Sequence, residues 1–135
     1  MPSVNVTKDV DATPEALWAL VEDFGGCGWI PGADVTTEGS GVGMLRIMNG
    51  AIREKLEAVD ASARTLSYSI PDDCIPFPVT GYYSTMVVSG SGAQASLSWT
   101  CQFEPNGVSE AEASGQIGGM YETMIGWISD SLKAS

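Results

Sequence analysis

The stretch from Ser109 to Leu132 limits what this chain can fold into more than any other. Apolar residues recur at Ile117, Met120, Tyr121, Met124, Ile125, Trp127, Ile128 and Leu132, the i, i+3, i+4, i+7 spacing of one helical face. Ser109 and, three residues later, Glu112 read as a capping box directly after the turn pair Asn106-Gly107. Glu110 and Glu112 sit at the positive helix end and Lys133 at the negative end, as the macrodipole favours. Such a helix is a rod roughly 36 Å long, enough to cross a small domain. A plain core helix and a helix that also lines a cavity both fit the pattern. Methionine and aromatic residues on the face favour the cavity, because a tightly specified core uses Leu and Ile. Gly115, Gly118, Gly119 and Gly126 each lower helix propensity by about 1 kcal/mol, so a need for short side chains is expected there.

Upstream, Ser3 to Val10 alternates apolar and polar residues and predicts a first strand. Thr13-Pro14-Glu15 supplies an N-cap, a proline at the first helical position and an acid in the first turn. A short helix through Leu17, Trp18, Leu20 and Val21 ends at Phe24-Gly25-Gly26, and Trp29-Ile30-Pro31-Gly32 turns the chain away. Strands are predicted at Asp34 to Glu38, Gly43 to Met48, Ile52 to Val59, Thr65 to Ile70, Gly81 to Ser89 and Gln94 to Glu104. Turn chemistry divides them at Gly39-Ser40-Gly41, Asn49-Gly50, Asp60-Ala61-Ser62 and Gly90-Ser91-Gly92. Consecutive antiparallel strands closed by one late amphipathic helix predict an α+β domain in which a curved sheet wraps the helix.

The 135 residues are read as one domain, 1-135, large enough to bury a core without disulfides or metal. A net charge of -11 argues against nucleic acid and anionic membrane surfaces as partners, since both would repel it. Cys27, Cys74 and Cys101 are odd in number and far apart, which suggests neither a disulfide framework nor a zinc site and fits a reducing cytoplasm. No apolar run reaches membrane length, so membrane insertion is not expected. Histidine is absent, which removes Ser-His and Cys-His catalysis. No cofactor or metal is expected, and a monomer or homodimer is.

Strand parity then names the residues that face the helix. They are Leu97, Trp99, Cys101 and Phe103; Leu66, Tyr68 and Ile70; Tyr82, Ser84, Met86 and Val88; and Ile52, Leu56 and Ala58 with Glu54 among them. A carboxylate on an apolar face must be paired, hydrogen-bonded or neutral. Arg46 is the obvious partner, but two registers are open. A strict two-residue Asn49-Gly50 turn sets Arg46 opposite Arg53, two like charges, and puts Arg46, Arg53 and Lys55 on the solvent face. A slip of one residue sets Arg46 opposite Glu54 and Met44 opposite Leu56, and is preferred. A structural salt bridge and a catalytic pair are both open for Arg46 and Glu54. The segment Pro71 to Pro78, stiffened by three prolines with Ile75 and Phe77 at its apolar tip, suits a lid over an entrance.

The chain resembles the START-like or SRPBCC superfamily, in its polyketide cyclase/dehydrase branch, nearly end to end. The resemblance rests on D-A-T-P-E-A-L-W at Asp11 to Trp18, G-M-L-R at Gly43 to Arg46 and R-E-K-L-E-A-V-D at Arg53 to Asp60. R-T-L-S-Y-S-I at Arg64 to Ile70, G-Y-Y-S-T-M at Gly81 to Met86 and M-Y-E-T-M-I at Met120 to Ile125 complete it. It implies a helix-grip fold, with a curved seven-stranded antiparallel sheet around the C-terminal helix, short helices after the first strand, and a deep hydrophobic cavity. It implies binding of a small hydrophobic ligand such as a lipid, polyketide or isoprenoid-like molecule, or else cyclase or dehydratase chemistry in the same cavity. The position matching Glu54 contacts polar groups of ligands in related members, and those matching Tyr82, Ser84, Tyr121 and Ile125 line the cavity. With the inward faces above, the expected ligand-binding set is Arg46, Glu54, Tyr68, Tyr82, Ser84, Met86, Trp99, Met120, Tyr121, Met124, Ile125 and Ile128. The short 49-50 turn and the lack of a lysine anchor count against the hormone-receptor branch.

Overall fold

A computed structural model describes residues 2–133. The elements in chain order are β1 (Ser3–Val10), α1 (Pro14–Glu22), β2 (Val35–Glu38), β3 (Leu45–Met48), β4 (Ile52–Asp60), β5 (Thr65–Ser69), β6 (Val79–Ser91), β7 (Gln94–Pro105) and α2 (Glu110–Lys133). The strands form one antiparallel seven-stranded sheet in the order β1-β7-β6-β5-β4-β3-β2. All neighbours are sequential except β1, which crosses over to close on β7, with Val6 opposite Trp99. The sheet curves around α2 in a helix-grip arrangement, and α2 packs on β1 and β7.

The alternation read from the sequence decides what fills the space between sheet and helix. In β7, Ala95, Leu97, Trp99, Cys101 and Phe103 are buried, whereas none of Ser96, Ser98, Thr100 and Gln102 is. Ala113, Ile117, Tyr121, Ile125 and Ile128 form the buried stripe of α2. Each fully buried large side chain contributes about 1.5–3 kcal/mol, so these two faces carry much of the fold's hydrophobic stabilisation. Ser109 Oγ accepts from Glu112 N at 3.1 Å and caps α2. Thr13 Oγ1 does the same for α1 by accepting from Ala16 N at 3.1 Å.

Several local expectations change. Only one helix follows β1, and residues 24–34 turn without forming another, because glycine and proline interrupt them. Gly90 is not in a turn but inside β6, which runs on to Ser91 before a two-residue connection. Its φ of +111° and the Gln94 carbonyl, which occupies the space a Cβ would need, explain why glycine is there. A bulge between Leu56 and Ala58 breaks the parity of β4, so Ala58 is exposed rather than inward-facing. The helix glycines answer to no crowding either. Gly115, Gly119 and Gly126 have open space where a Cβ would stand, and Gly118 would make only an ordinary contact with Val4.

Candidate functional site

The β3–β4 register is the slipped one. Asn49 and Gly50 both take positive φ, and Ala51 N donates to Met48 O at 3.0 Å. Met48 nevertheless pairs with Ile52, leaving Ala51 as the extra residue and Arg46 opposite Glu54. Arg46 Nε donates to Glu54 Oε1 at 2.5 Å, and the two residues are only 6% and 7% exposed. Burial by itself would lower the Arg46 pKa, but the Glu54 carboxylate together with Cys27 and Tyr68 outweighs it and leaves the guanidinium more firmly protonated than usual.

The loop after α1 completes the guanidinium's surroundings. Arg46 Nη1 donates to Phe24 O at 2.9 Å and lies 3.5 Å from Cys27 Sγ. Its carbon stands 4.0 Å from the Phe24 ring centre and 5.3 Å from that of Tyr68, so the cation is held over aromatic faces. Burial raises the Cys27 thiol, although Arg46 pulls the other way, and the sulfur remains a thiol. Among the described residues, Glu54 Oε2 and Arg46 Nη2 make no hydrogen bond to protein, and no buried side-chain nitrogen or oxygen is sealed off without a partner. Both residues line the cavity beside them, and Arg46 also borders a small void on the α1 side.

That cavity has a volume of about 300 Å³. Arg46, Glu54, Tyr68, Tyr82, Trp99, Met120 and Met124 line it, as does Phe77 of the Pro71–Pro78 segment. Met120 stands at its mouth, 41% exposed. Ser84, Tyr121 and Ile125 are buried behind the wall, and Met86 and Ile128 flank a void of only about 10 Å³ on the α1 side. Ile75 packs against the core without lining the cavity. The sequence reading missed Trp29, Ile30, Met48, Asn49, Ile52, Ile70, Pro76 and Trp127 as lining residues. Strand parity placed Ile52 and Ile70 on the inward faces without assigning them to the ligand, and could also have found Met48, two residues from Arg46 on the same face.

Behind the cavity runs a chain of hydrogen-bonded hydroxyls. Ser84 Oγ is 3.1 Å from Thr100 O, which only accepts, so Ser84 donates there. Trp99 Nε1 only donates, and reaches Ser84 Oγ at 2.9 Å. Ser84 Oγ also lies 3.0 Å from Tyr121 Oη, and Tyr121 Oη in turn is hydrogen-bonded to Tyr82 Oη, its very close neighbour; in each pair either hydroxyl can be the donor. Tyr68 Oη stands 3.4 Å from Tyr82 Oη and accepts from Trp99 Nε1 at 3.2 Å. Burial pushes the Tyr68 phenol up to about 12, with the Glu54 charge adding to it and Arg46 opposing. Burial likewise raises Tyr82 and Tyr121, so all three remain phenols at neutral pH.

The segment before β6 is tied down beside the mouth. Arg53 Nη2 meets Asp73 Oδ1 at 2.6 Å, Arg53 N donates to Cys74 Sγ at 3.4 Å, and Gly81 N donates to Asp72 Oδ1 at 2.9 Å. Phe77 then lies against Tyr82 with ring centres 6.1 Å apart. Among the described residues no group of three or more His, Cys, Asp or Glu is placed to hold a metal ion. No helix among them is long and apolar enough to cross a membrane.

A curved antiparallel sheet gripping a long helix over an internal cavity places the chain in the START-like, or SRPBCC, class of proteins. The family model described as polyketide cyclase / dehydrase and lipid transport matches residues 1–131, and the chain belongs to that family. Among curated proteins no match was found. A solved structure from Thermobifida fusca is 25% identical at a TM-score of 0.85, covering 98% of this chain and 93% of that one. One from Bacillus thuringiensis is 26% identical at 0.83, covering 96% and 98%. Norcoclaurine synthase from Thalictrum flavum, solved with dopamine and hydroxybenzaldehyde, shares the fold at 19% identity and a TM-score of 0.74, covering 98% and 86%.

Proposed function

We propose that the protein binds one small, largely apolar molecule in the cavity between sheet and α2, with a polar end of that molecule at Arg46 and Glu54. The cavity carries this reading. Its volume of about 300 Å³ lies at the lower end of ligand sites, roughly 300–1,000 Å³. Its walls are Trp29, Ile52, Ile70, Phe77, Trp99 and Met124, with two charged groups set into them. An apolar wall with a few convergent polar groups is the usual composition of a small-molecule site.

Binding is favoured over a cyclase or dehydratase reaction by the hydroxyl chain. Tyr82 Oη is hydrogen-bonded to both Tyr121 and Tyr68, and Tyr121 to Ser84, so the phenols engage one another within the protein. A general acid must hand its proton to the substrate, and Tyr82 is poorly arranged to do so. Glu54 is fixed by Arg46. In the same reading Pro76 and Phe77 cover the entrance as a lid. Titration with the neutral fluorophore N-phenyl-1-naphthylamine tests the proposal. Saturable micromolar binding at one site per chain, quenching tryptophan emission from Trp29, Trp99 and Trp127, is expected. Absence of saturable binding by the folded protein would refute it.

A further inference from the structure

We infer that the cavity takes a flat aromatic body of one or two fused rings, and that any longer part of a ligand projects through the mouth beside Met120. This rests on the cavity being a binding site and names the class of molecule that fits it.

Volume sets the size. A dry apolar cavity of about 150 Å³ holds one benzene ring. The space here, about 300 Å³, is twice that and so accepts about twelve non-hydrogen atoms, a naphthalene with one small polar group. A rigid body of four fused rings exceeds it and cannot bend to leave the excess outside. The walls set the shape. Trp29, Tyr68, Phe77, Tyr82, Trp99 and Trp127 all line the cavity. Three of them form a continuous run, with ring centres 6.1 Å apart from Phe77 to Tyr82 and 6.2 Å from Tyr82 to Tyr68. Ring against ring is favourable beyond the area buried, and a saturated body of the same skeleton lacks that gain. The aromatic wall is also fixed. Tyr82 is hydrogen-bonded to Tyr68 and to Tyr121 of α2, and Trp99 stacks on Tyr121 at 4.7 Å between ring centres. Widening it would break buried hydrogen bonds, which is costly. Met124 is the softer limit, because it lines the cavity from α2, is only partly buried and has a flexible side chain.

Two matched pairs of uncharged probes, titrated at neutral pH by calorimetry, test shape and size separately. Decahydro-2-naphthol is 2-naphthol with its rings saturated and no longer flat. 1-Hydroxypyrene and N-phenyl-1-naphthylamine have equal numbers of non-hydrogen atoms, but only the second can leave one ring outside the mouth. 2-Naphthol is expected to bind about fivefold more tightly than its saturated form. N-Phenyl-1-naphthylamine should bind the wild type, and 1-hydroxypyrene should not. Met124→Ala, or Ile52→Ala on β4 should the first variant fail to fold, should admit 1-hydroxypyrene and still bind 2-naphthol. If neither 2-naphthol nor N-phenyl-1-naphthylamine binds, the binding-site reading itself fails. If both bind, three results overturn the inference while the site stands: equal affinity for the saturated alcohol, 1-hydroxypyrene binding to the wild type, or its exclusion from a folded, enlarged variant.

Discussion

Arg46 and Glu54 face each other across β3 and β4 with Nε and Oε1 2.5 Å apart and both side chains buried. Removing one partner of such a pair leaves an uncompensated buried charge, which costs about 3–5 kcal/mol. Arg46→Met should therefore lower the urea midpoint by that equivalent. The double change Arg46→Met with Glu54→Leu should recover most of the loss, because no charge is left inside. Equal destabilisation by the single and double variants would show that packing, and not charge, sets the cost.

The buried phenols give a pH dependence of definite sign. Tyr68 is raised from 10.0 to about 12 in the folded chain, and burial raises Tyr82 and Tyr121 as well. Their neutral forms are favoured by folding, so their contribution to stability is full below about pH 10; that of Tyr68 is lost as pH rises through about 12, and those of Tyr82 and Tyr121 are lost as pH rises through their own raised values. Near-UV circular dichroism followed alongside phenolate absorbance should show these three ionising together with the loss of tertiary structure. Ionisation of all three with the native signal intact would contradict the burial that raises them.

Phe77 distinguishes a lid from a core residue. It is only partly buried and touches Tyr82 at the cavity mouth. Phe77→Ala should cost about 1 kcal/mol, well short of the roughly 3–5 kcal/mol typical of a buried core phenylalanine. Stopped-flow fluorescence should show the naphthylamine probe entering and leaving several-fold faster. A large stability loss with unchanged rates would make Phe77 a plug in the core edge.

Gly119 and Gly126 are exposed on α2, with nothing within 4 Å of where an added methyl group would stand. Replacing either with alanine should stabilise the fold by about 0.5–1 kcal/mol, measured as a higher urea midpoint with unchanged slope. Destabilisation would mean that the open side of α2 has a tight neighbour in the native state.

These positions also show what could be read without coordinates. Glu54 on an apolar face announced a buried partner, and the like charges that a strict Asn49-Gly50 turn would oppose favoured the slipped register, because side-chain facing and cross-strand pairing are local properties of a pleated strand. Tyr121 was legible as inward-facing from the helical period. Its bond to Ser84 was not, since that depends on how closely α2 approaches β6, a distance no periodicity encodes. Trp29 and Ile30 reach the cavity from irregular turns and so gave no periodic signal. The bulge in β4 hid Ala58 in the same way, by adding a residue that strict alternation does not anticipate.

The central claim is that ligand enters the space between Glu54 and Met124. The most direct measurement is an amide chemical-shift map of the ¹⁵N-labelled protein titrated with N-phenyl-1-naphthylamine, for the wild type and for Met124→Trp, whose larger ring fills the cavity. Saturable shifts should cluster at Arg46 to Glu54, Tyr68 to Ile70, Phe77 to Tyr82 and Met120 to Trp127, and should vanish in the folded variant. Saturable shifts on outward-facing residues such as Thr36 and Ser98, or a wild-type pattern surviving in Met124→Trp, would contradict the claim.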